Sequence, residues 1–174
     1  MEVSILELME AILTRRSIRK FTSKVVSKDL INDLLRAAMQ APSAGNRQSW
    51  NFIVLTDRKI INKIPEFHPY AKMLLEAPLA ILVSAEVKTE DFCGYWIQDC
   101  SAATQNLLLA AHAKGLGAVW LGMYPRQERV EGIRKILNLP IEIVPLSLVA
   151  IGYPGEKKEP ENRFKEEKIH YNKW

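Results

Sequence analysis

Apolar residues recur at helical spacing in three long segments of the chain. The first runs from Val3 to Leu13 and predicts a helix that ends at a group of arginines. The second follows Ser27, the predicted N-cap, and has to end before Pro42, because proline disfavours helix in the residue before it. The third runs from Phe92 to Lys114 and is apolar nearly all round. Such a helix is normally buried on all sides, so it is predicted to pack partly against a partner subunit.

Continuous apolar runs bounded by turn residues predict four strands. These are Asn51–Thr56, Pro78–Ser84, Gly117–Gly122 and Val144–Gly152. Shorter helices are predicted around Ile60–Ile64, ended by Pro65, and over residues 130–137, and Gly115 is the predicted cap of the long helix. Strands that alternate with helices indicate a layered α/β or α+β fold.

Length and composition are those of one folded domain. The chain has 174 residues, of which 48% are hydrophobic and 25% charged, so residues 1–174 are predicted to form a single domain. Residues 156–174 contain few apolar side chains before their end and are predicted to form an extended C-terminal arm. No stretch is apolar for the length of a membrane span, and acids interrupt the first apolar segment, unlike a secretory signal. We therefore expect a cytoplasmic protein with no membrane partner.

The positive charge is concentrated in one part of the chain. The formal net charge is +4, and six lysines and arginines without an intervening acid lie between Arg15 and Lys28. The remainder is therefore slightly acidic. A protein that binds nucleic acid through its general surface would have a broader excess of basic residues, so we expect no nucleic-acid partner.

The motif RRSIRKF, residues 15–21, has three possible explanations. Its charge could complement a helix end, contact nucleic acid, or bind a phosphate. Arginine pairs with phosphate oxygens through two parallel hydrogen bonds, and a serine hydroxyl can add another. Composition alone leaves all three explanations open.

Two further segments contain candidate ligand contacts. In APSAGNRQSW, the side chains of Ser43, Asn46 and Gln48 could read the edge of a heterocycle, although polar loops of this kind are mostly turns. In KGLGAVWLG, the first two glycines follow a helix, which is the reverse of the order in a dinucleotide fingerprint and predicts a helix cap and a turn. Gly122 differs because it ends a strand, where the backbone could approach a ligand closely.

The sequence lacks the common motifs of side-chain catalysis. It contains no P-loop, no Gly-x-Ser-x-Gly elbow and no clustered histidines and cysteines for a metal. His68, His112 and His170 are scattered, and His112 is expected to be structural. Cys93 and Cys100 lie about two helical turns apart, which is too far for a disulfide and favours a buried thiol. Phosphate and heterocycle contacts without an evident acid, base or nucleophile favour a bound cofactor that carries the chemistry.

Five segments, in order along the chain, resemble the FMN-dependent nitroreductases, specifically the short members of that family. They are RRSIRKF, APSAGNRQSWNFIV, WIQDCSAATQNLLLAAHAKGLGAVWLG, AIGYPGEKK and RFKEEKIHYNKW, and together they span nearly the whole chain. The resemblance implies an α+β fold, a three-layer sandwich whose mixed sheet is flanked by helices. It also implies an intertwined homodimer with FMN at the subunit interface.

The resemblance further implies which residues bind FMN. The phosphate and ribityl contacts match Arg15, Arg16, Ser17, Arg19 and, from the arm, Arg163. The segment whose backbone N–H faces flavin N5 and O4 matches Leu121 and Gly122. The segment that reaches the flavin from the other subunit matches Pro42, Ser43, Ala44 and Asn46. Gln48 falls at the usual glutamine of the family, and Ser49 stands where proline often follows.

The implied activity is that of an FMN-dependent NAD(P)H oxidoreductase without a catalytic side chain or a metal. Hydride would pass from NAD(P)H to FMN and then to a second small molecule in a ping-pong sequence, with nitroaromatics and quinones as typical acceptors. Residues 57–75 and 92–96 are the segments available to cover the cleft. Two alternatives stay open, namely dehalogenation or flavin fragmentation on the same fold, and a basic module that binds anionic ligands or nucleic acid.

Overall fold

Four strands form one open sheet with helices on both faces. The computed structural model describes residues 7–87 and 94–174. Its strands are β1 (Trp50–Leu55), β2 (Leu79–Glu86), β3 (Gly117–Gly122) and β4 (Ile143–Gly152). Its helices are α1 (Leu8–Thr14), α2 (Lys28–Met39), α3 (Arg58–Ile61), α4 (Tyr95–Ala113) and α5 (Gln127–Leu137). Short 3₁₀ turns lie at Ala44–Asn46, Ile64–Glu66, Lys72–Leu75 and Glu166–Lys168.

The strand order β1-β2-β4-β3 places β2 and β4 in the middle and β3 at one edge. The three ladders between these strands are antiparallel, so the expectation of a mixed sheet needs correction. Parallel pairing is limited, within residues 7–87 and 94–174, to the bridge between Ser17 and Ala118. Strand β2 is buried along nearly its whole length, which explains its uninterrupted apolar sequence.

Each face of the sheet packs against its own hydrophobic core. On one face, α2 and α4 pack on side chains that include Ile81 and Val149. On the other face, α3, α5 and the turns of residues 64–75 pack on side chains that include Leu82 and Leu148. Because side chains alternate along a strand, the neighbours Ile81 and Leu82 enter opposite cores. The result is the predicted three-layer sandwich.

Helix ends follow local signals, with one exception. The Ser27 hydroxyl caps α2 by accepting from the Leu30 N–H at 3.3 Å. Gly115 follows α4 with φ of 73°, as predicted for a helix cap. The short helix predicted before Pro65 is misplaced, because α3 begins directly after Asp57, whose carboxylate caps it. Pro65 instead lies at the start of the next 3₁₀ turn, a position that needs no N–H donor.

Strand boundaries differ from the predictions by one or two residues. Strand β3 has the predicted bounds, β1 and β4 begin one residue earlier, and β2 begins after Pro78 and extends two residues further. Beyond residue 156 the arm contains one 3₁₀ turn and is exposed. The predicted helix starts at Val3 and Phe92, and the thiol of Cys93, lie outside the described residues.

Helix α4 is buried mainly on one side within a single chain. Cys100, Ala103 and Leu107 belong to the core, whereas Leu109 and Ala110 on other sides of the helix are only partly buried. Further coverage by a partner subunit stays a prediction. Across residues 7–87 and 94–174, none of the helices combines the length and the hydropathy that crossing a membrane would require.

Gly117 allows the RRSIRKF segment to lie against the start of β3. The Ile18 N–H donates to the Ala118 carbonyl at 3.1 Å, and the Ile18 side chain is buried. A Cβ on Gly117 would lie 2.7 Å from Ile18 Cγ2, much closer than carbon atoms normally pack. The segment therefore keeps its place only if residue 117 has no side chain.

Replacing Gly117 by alanine should destabilise the fold by about 1–3 kcal/mol, the usual cost of overpacking a core. The matched control is Gly122→Ala on the same strand, where a Cβ would meet no atom within 4 Å. Denaturant unfolding of the protein without added ligand measures both free energies of unfolding. Equal effects of the two substitutions would contradict the packing role of Gly117.

Candidate functional site

The RRSIRKF segment is attached to the sheet by its two large apolar side chains. Ile18 and Phe21 are buried in the core on the α5 face of the sheet. The three arginines of the segment stay at least partly exposed. Between them, Ser17 bridges to Ala118 on the outer edge of β3. The apolar residues thus align the polar ones along the outer edge of the sheet.

The C-terminal arm returns across the same arginines. Arg16 donates from Nε to the Glu159 carbonyl at 3.0 Å, and its Nη2 forms an ion pair with Glu161 Oε2 at 2.6 Å. The same carboxylate oxygen lies 3.2 Å from Nε of Arg163. These contacts lower the pKa of Glu161, and the hydrogen bond from Arg16 has the largest effect. Arg163 thereby joins the other arginines although it is distant from them in sequence.

Arg15 carries a charge that none of the described carboxylates neutralises. Among the described residues, no carboxylate lies within ion-pair distance of its half-buried guanidinium. Burial lowers the pKa of Arg15, and the positive charges of Arg163 and Arg16 lower it further. An anion with several oxygen acceptors would relieve this repulsion. The cluster of Arg15, Arg16 and Arg163, hereafter the arginine cluster, therefore favours phosphate binding over helix-end decoration.

Arg19 differs from these three arginines because its backbone makes the contact. Its N–H donates to Glu156 Oε1 at 2.6 Å, and the Lys20 N–H donates to the same oxygen at 3.2 Å. The Arg19 side chain is exposed and forms no ion pair within the part of the chain that the structure describes. Its predicted phosphate contact would require the side chain to turn toward a ligand.

Gly122 directs its backbone N–H away from the sheet. The Met123 N–H donates to the Leu146 carbonyl at 2.9 Å, and the same register pairs Leu121 with Leu148. Because hydrogen bonds alternate along an antiparallel ladder, Leu121 bonds to β4 and Gly122 faces outward. A Cβ at Gly122 would meet no atom within 4 Å, so the adjacent space is open. Of the two residues predicted to face a flavin, only Gly122 offers an available N–H.

Two side chains bind the carbonyl of Gly122. Nε2 of His68 lies 3.1 Å from this oxygen, and Arg129 donates to it from Nη1 at 2.9 Å. The His68 side chain is buried, and the Tyr70 N–H donates to its Nδ1 at 3.3 Å. Burial, and secondly the charge of Arg129, lower the pKa of His68. The imidazole is therefore neutral, and it donates from Nε2.

Residues 42–48, hereafter the amide loop, form a tight polar turn. Gly45, Asn46 and Gln48 have positive φ values of 59°, 53° and 52°. The Ser43 hydroxyl accepts from the Gln48 N–H at 3.0 Å, and the Gln48 amide donates to Asn46 Oδ1 at 3.0 Å. Pro42, like both amides, is exposed. The loop is thus held by its own hydrogen bonds and presents the rest of its amide groups to solvent.

The amide loop is anchored to the first turns of α4. The buried Asp99 accepts from the Ala44 N–H at 2.9 Å. A cleft of about 490 Å³ lies between the loop and the helix, lined by Ala44, Gly45, Arg47, Ser49, Tyr95, Trp96 and Asp99. The Ser49 hydroxyl oxygen is buried and has no hydrogen-bond partner within residues 7–87 and 94–174. The cleft combines aromatic and polar side chains.

The arginine cluster and the amide loop attach to opposite ends of α4. Next to Arg15, Thr14 Oγ1 lies 2.8 Å from His112 Nε2, near the last turn of the helix. The amide loop is bonded to Asp99, thirteen residues earlier, which corresponds to about 20 Å of helix. The segment that contains the arginines is therefore well separated from the amide loop within one chain.

The remaining candidates for chemistry have structural roles. The Thr14 hydroxyl donates to the Glu10 carbonyl at 2.7 Å, so His112 has to donate to Thr14, as expected of a structural histidine. Burial, with Asp99 nearby, raises the pKa of the Cys100 thiol to about 12, so this thiol is not a nucleophile. No group of three or more His, Cys, Asp or Glu residues within 7–87 and 94–174 could hold a metal.

Comparison with known proteins agrees with this architecture. Residues 12–68 and 67–153 match the model of the nitroreductase family. The chain belongs to this family. A relative from Methanothermobacter thermautotrophicus, named as an NADH dehydrogenase/NAD(P)H nitroreductase, is 47% identical over 173 residues, which are 99% of this chain and 91% of the relative.

Solved structures of nitroreductases have the same fold. The Parabacteroides distasonis protein named as an NADH dehydrogenase/NAD(P)H nitroreductase has a TM-score of 0.92 and 46% identity, and the match covers 96% of this chain and 98% of that chain. An FMN-dependent nitroreductase from Clostridium difficile has a TM-score of 0.88 and 30% identity over 95% of this chain and 99% of that chain. The predicted family and its sandwich fold are confirmed, and the chain is an oxidoreductase of the nitroreductase type.

The predicted lid of this nitroreductase belongs largely to its core. Within residues 57–75, the side chains of Ile61, Ile64, Ala71 and Leu74 are fully buried on the α5 face. Tyr70 is the largest exposed side chain of this segment. Residues 57–75 therefore support the sheet, and only their exposed turns are available near a cleft.

Three residues of the site were missed by sequence reasoning. His68 is one of three scattered histidines, and no motif or periodicity in the sequence marks it. Arg129 lies on a polar helix face without any motif. Glu161 precedes Arg163 in a mixed-charge arm, where acids and bases alternate too often for one pair to stand out. These contacts join residues that are distant in sequence, and only the fold brings them together.

Proposed function

We propose that this nitroreductase binds FMN and uses it to transfer hydride from NAD(P)H to a small-molecule acceptor. The observation that carries the proposal is the half-buried charge of Arg15, which has no carboxylate partner among the described residues. The outward N–H of Gly122 lies on the same sheet edge. From Ala118, which pairs with Ser17, to Gly122 is about 13 Å along the strand. This interval suits a molecule with a phosphate at one end and a heterocycle at the other.

The phosphate fits the arginine cluster. Arg15 and Arg16 would each form charge-assisted hydrogen bonds to phosphate oxygens, and Arg163 would close the cluster from the arm. Glu161 now occupies the space between Arg16 and Arg163. A phosphate would replace this carboxylate, whose exposed side chain is free to turn into solvent. Ser17 lies beside the cluster, where its hydroxyl would bind the phosphate or the ribityl chain.

The ring fits the end of β3. The Gly122 N–H would donate to N5 or O4 of the flavin, and the absence of a side chain allows the ring to approach the strand. The chemistry supplied by bound FMN is two-electron redox, with hydride taken from NAD(P)H in one half-reaction and given to the acceptor in the other. This ping-pong sequence needs no side chain to act as a base, in keeping with the inert Cys100 and the structural His112.

A homodimer would complete the site. Leu8, Met9 and Leu13 on α1 are each more than half exposed, which is unusual for three neighbouring large apolar residues. An apolar groove of about 590 Å³ lies between α1, α2 and α4. A second copy on this surface would cover the partly buried side of α4. Its amide loop would then meet the flavin held by the arginine cluster of the first copy.

The acceptors we propose are nitroaromatics and quinones. The cleft beside the amide loop is lined by Tyr95 and Trp96, and the Trp96 ring packs edge-to-face on Tyr124 at 5.0 Å between centroids. Flat aromatic acceptors would stack on such side chains. Tyr124 follows the end of β3 by two residues and extends this aromatic surface.

Purified protein incubated with FMN and desalted should be yellow. Anaerobic addition of NADH or NADPH should bleach the flavin absorbance, and a stoichiometric quinone or nitroaromatic should restore it. Absorbance spectra after each addition give the result. A protein that stays colourless after desalting, or whose bound flavin neither nicotinamide reduces, would rule out the proposed activity.

The phosphate contact is tested with Arg15→Ala. Loss of a charge-assisted hydrogen bond costs about 1.5–3 kcal/mol, so FMN affinity should fall by roughly 10- to 150-fold. Riboflavin lacks the phosphate, and its affinity should stay unchanged. Arg36→Ala, which removes an exposed arginine of α2, is the matched control and should leave both affinities as they were. Flavin fluorescence titrations measure all of these constants, and an equal loss for FMN and riboflavin would place Arg15 elsewhere in the site.

The shared site is tested by complementation. Arg15→Ala is coexpressed with a loop variant in which Asn46 and Gln48 become glycine, a residue that keeps their positive φ. If each site takes its arginines from one copy and its loop from the other, heterodimers contain one intact site. About a quarter of all sites should then regain the FMN affinity of the unaltered protein. If both groups served one site within a single chain, no mixture would contain an intact site.

A further inference from the structure

We propose that His68 is a positioning residue, which together with Arg129 fixes the orientation of Gly122 so that its N–H meets the flavin ring. The inference rests on the proposed FMN binding and adds a role for two residues outside the predicted site. Neither residue touches the flavin in this proposal. Both act through the carbonyl of Gly122, to which Nε2 of His68 and Nη1 of Arg129 lie at 3.1 and 2.9 Å.

Gly122 needs external restraint because of its own chemistry and its place in the sheet. Glycine has the widest range of backbone conformations, and β3 ends at this residue. The peptide group that joins Gly122 to Met123 is held at its N–H, because the Met123 N–H donates to the Leu146 carbonyl at 2.9 Å. The carbonyl of the same peptide is held by His68 and Arg129. With both ends of this peptide bound, the N–H of Gly122 is the polar group left for a ligand.

His68 is suited to donate and unsuited to exchange protons with a substrate. Its Nδ1 accepts from the Tyr70 N–H, so the proton of the neutral ring resides on Nε2 and is donated to Gly122. A second proton would break the bond from Tyr70 and place a cation beside Arg129. The side chain is 1% exposed, and both of its nitrogens are occupied. A histidine in this position fixes the Gly122 carbonyl and performs no acid–base chemistry.

The packing around His68 explains how two separate elements reach one carbonyl. Phe67 packs against α5 at Gly132, where a Cβ would clash with its ring. This contact sets the turn segment that carries His68 close to the helix that carries Arg129. The Arg129 guanidinium also lies over the Tyr70 ring, 5.6 Å from its centroid. The segment and the helix therefore form one support behind the end of β3.

The test compares FMN and riboflavin binding to His68→Met, His68→Gln and Arg129→Met. Methionine fills the space without a donor, whereas glutamine retains an N–H donor at the end of its side chain. Loss of one hydrogen bond predicts that His68→Met weakens FMN and riboflavin equally, by roughly three- to tenfold each. His68→Gln should bind both flavins within about twofold of the unaltered protein. Arg129→Met, which fills space without a donor, should show the same equal loss as His68→Met.

An equal loss is the signature of an effect at the ring, because the ratio of the FMN and riboflavin affinities reports the phosphate end alone. Unaltered affinities in His68→Met, or a loss confined to FMN, would overturn the proposal. Glutamine as damaging as methionine would also overturn it, since a packing role would not depend on the donor. If His68→Met fails to fold, the half-exposed Arg129 carries the same test. Failure of the unaltered protein to bind either flavin would instead refute the proposed function.

Discussion

The close contact between Ile18 and Gly117 is the constraint on which the rest of the site depends. It lets a strongly charged segment lie against the edge of a sheet, where its own backbone pairs with Ala118. Burial of Ile18 and Phe21 provides the free energy that holds the segment there, and the arginines are positioned by it. The charges would repel one another on an independent loop. On the sheet edge they are fixed at a set distance from the end of β3.

Helix α4 separates the segment that contains Arg15 and Arg16 from the amide loop. Thr14, next to the arginine cluster, is bonded to the last turns of α4 and the amide loop is bonded near its start, so in the proposed dimer each chain would contribute one group to each of two sites. A chain of 174 residues has little material with which to enclose a ligand by itself. Two copies that each contribute one group to the other's site would enclose the ligand without additional residues. In the proposed dimer, α4 would be both the core helix and the spacer between two sites.

The sequence predicted the layers and several helix ends, since these depend on local signals, and it nominated candidate site residues. Ser27 caps α2 and Gly115 ends α4 because capping involves neighbours in sequence. Prediction failed where the partner is distant. The antiparallel pairing of the three ladders is not visible in apolar runs. The helix end predicted at Pro65 is a local error, because the Asp57 cap starts α3 earlier and Pro65 lies in the next 3₁₀ turn.

In the candidate site too, features that depend on local sequence were predictable and contacts between distant residues were not. Arg15 and Gly122 stand out by composition and by position at the end of a strand. The outward direction of the Gly122 N–H follows only from the register with β4, which also removes Leu121 as a donor. His68 gives no signal, because its importance comes from one carbonyl that lies 54 residues away. Contacts between a side chain and a distant backbone atom have no periodicity and no motif.

The carboxylate of Glu161 gives the arginine cluster a further property. Since Arg16 and Arg163 already share one internal anion, the arrival of a phosphate would be an exchange of anions and not a simple neutralisation. Dissolved salt weakens the outgoing ion pair as well as the incoming one, so the two effects partly cancel. Binding at this site would then depend less on ionic strength than three arginines suggest. The arm would act as a built-in counterion that keeps the cluster from collecting unrelated anions.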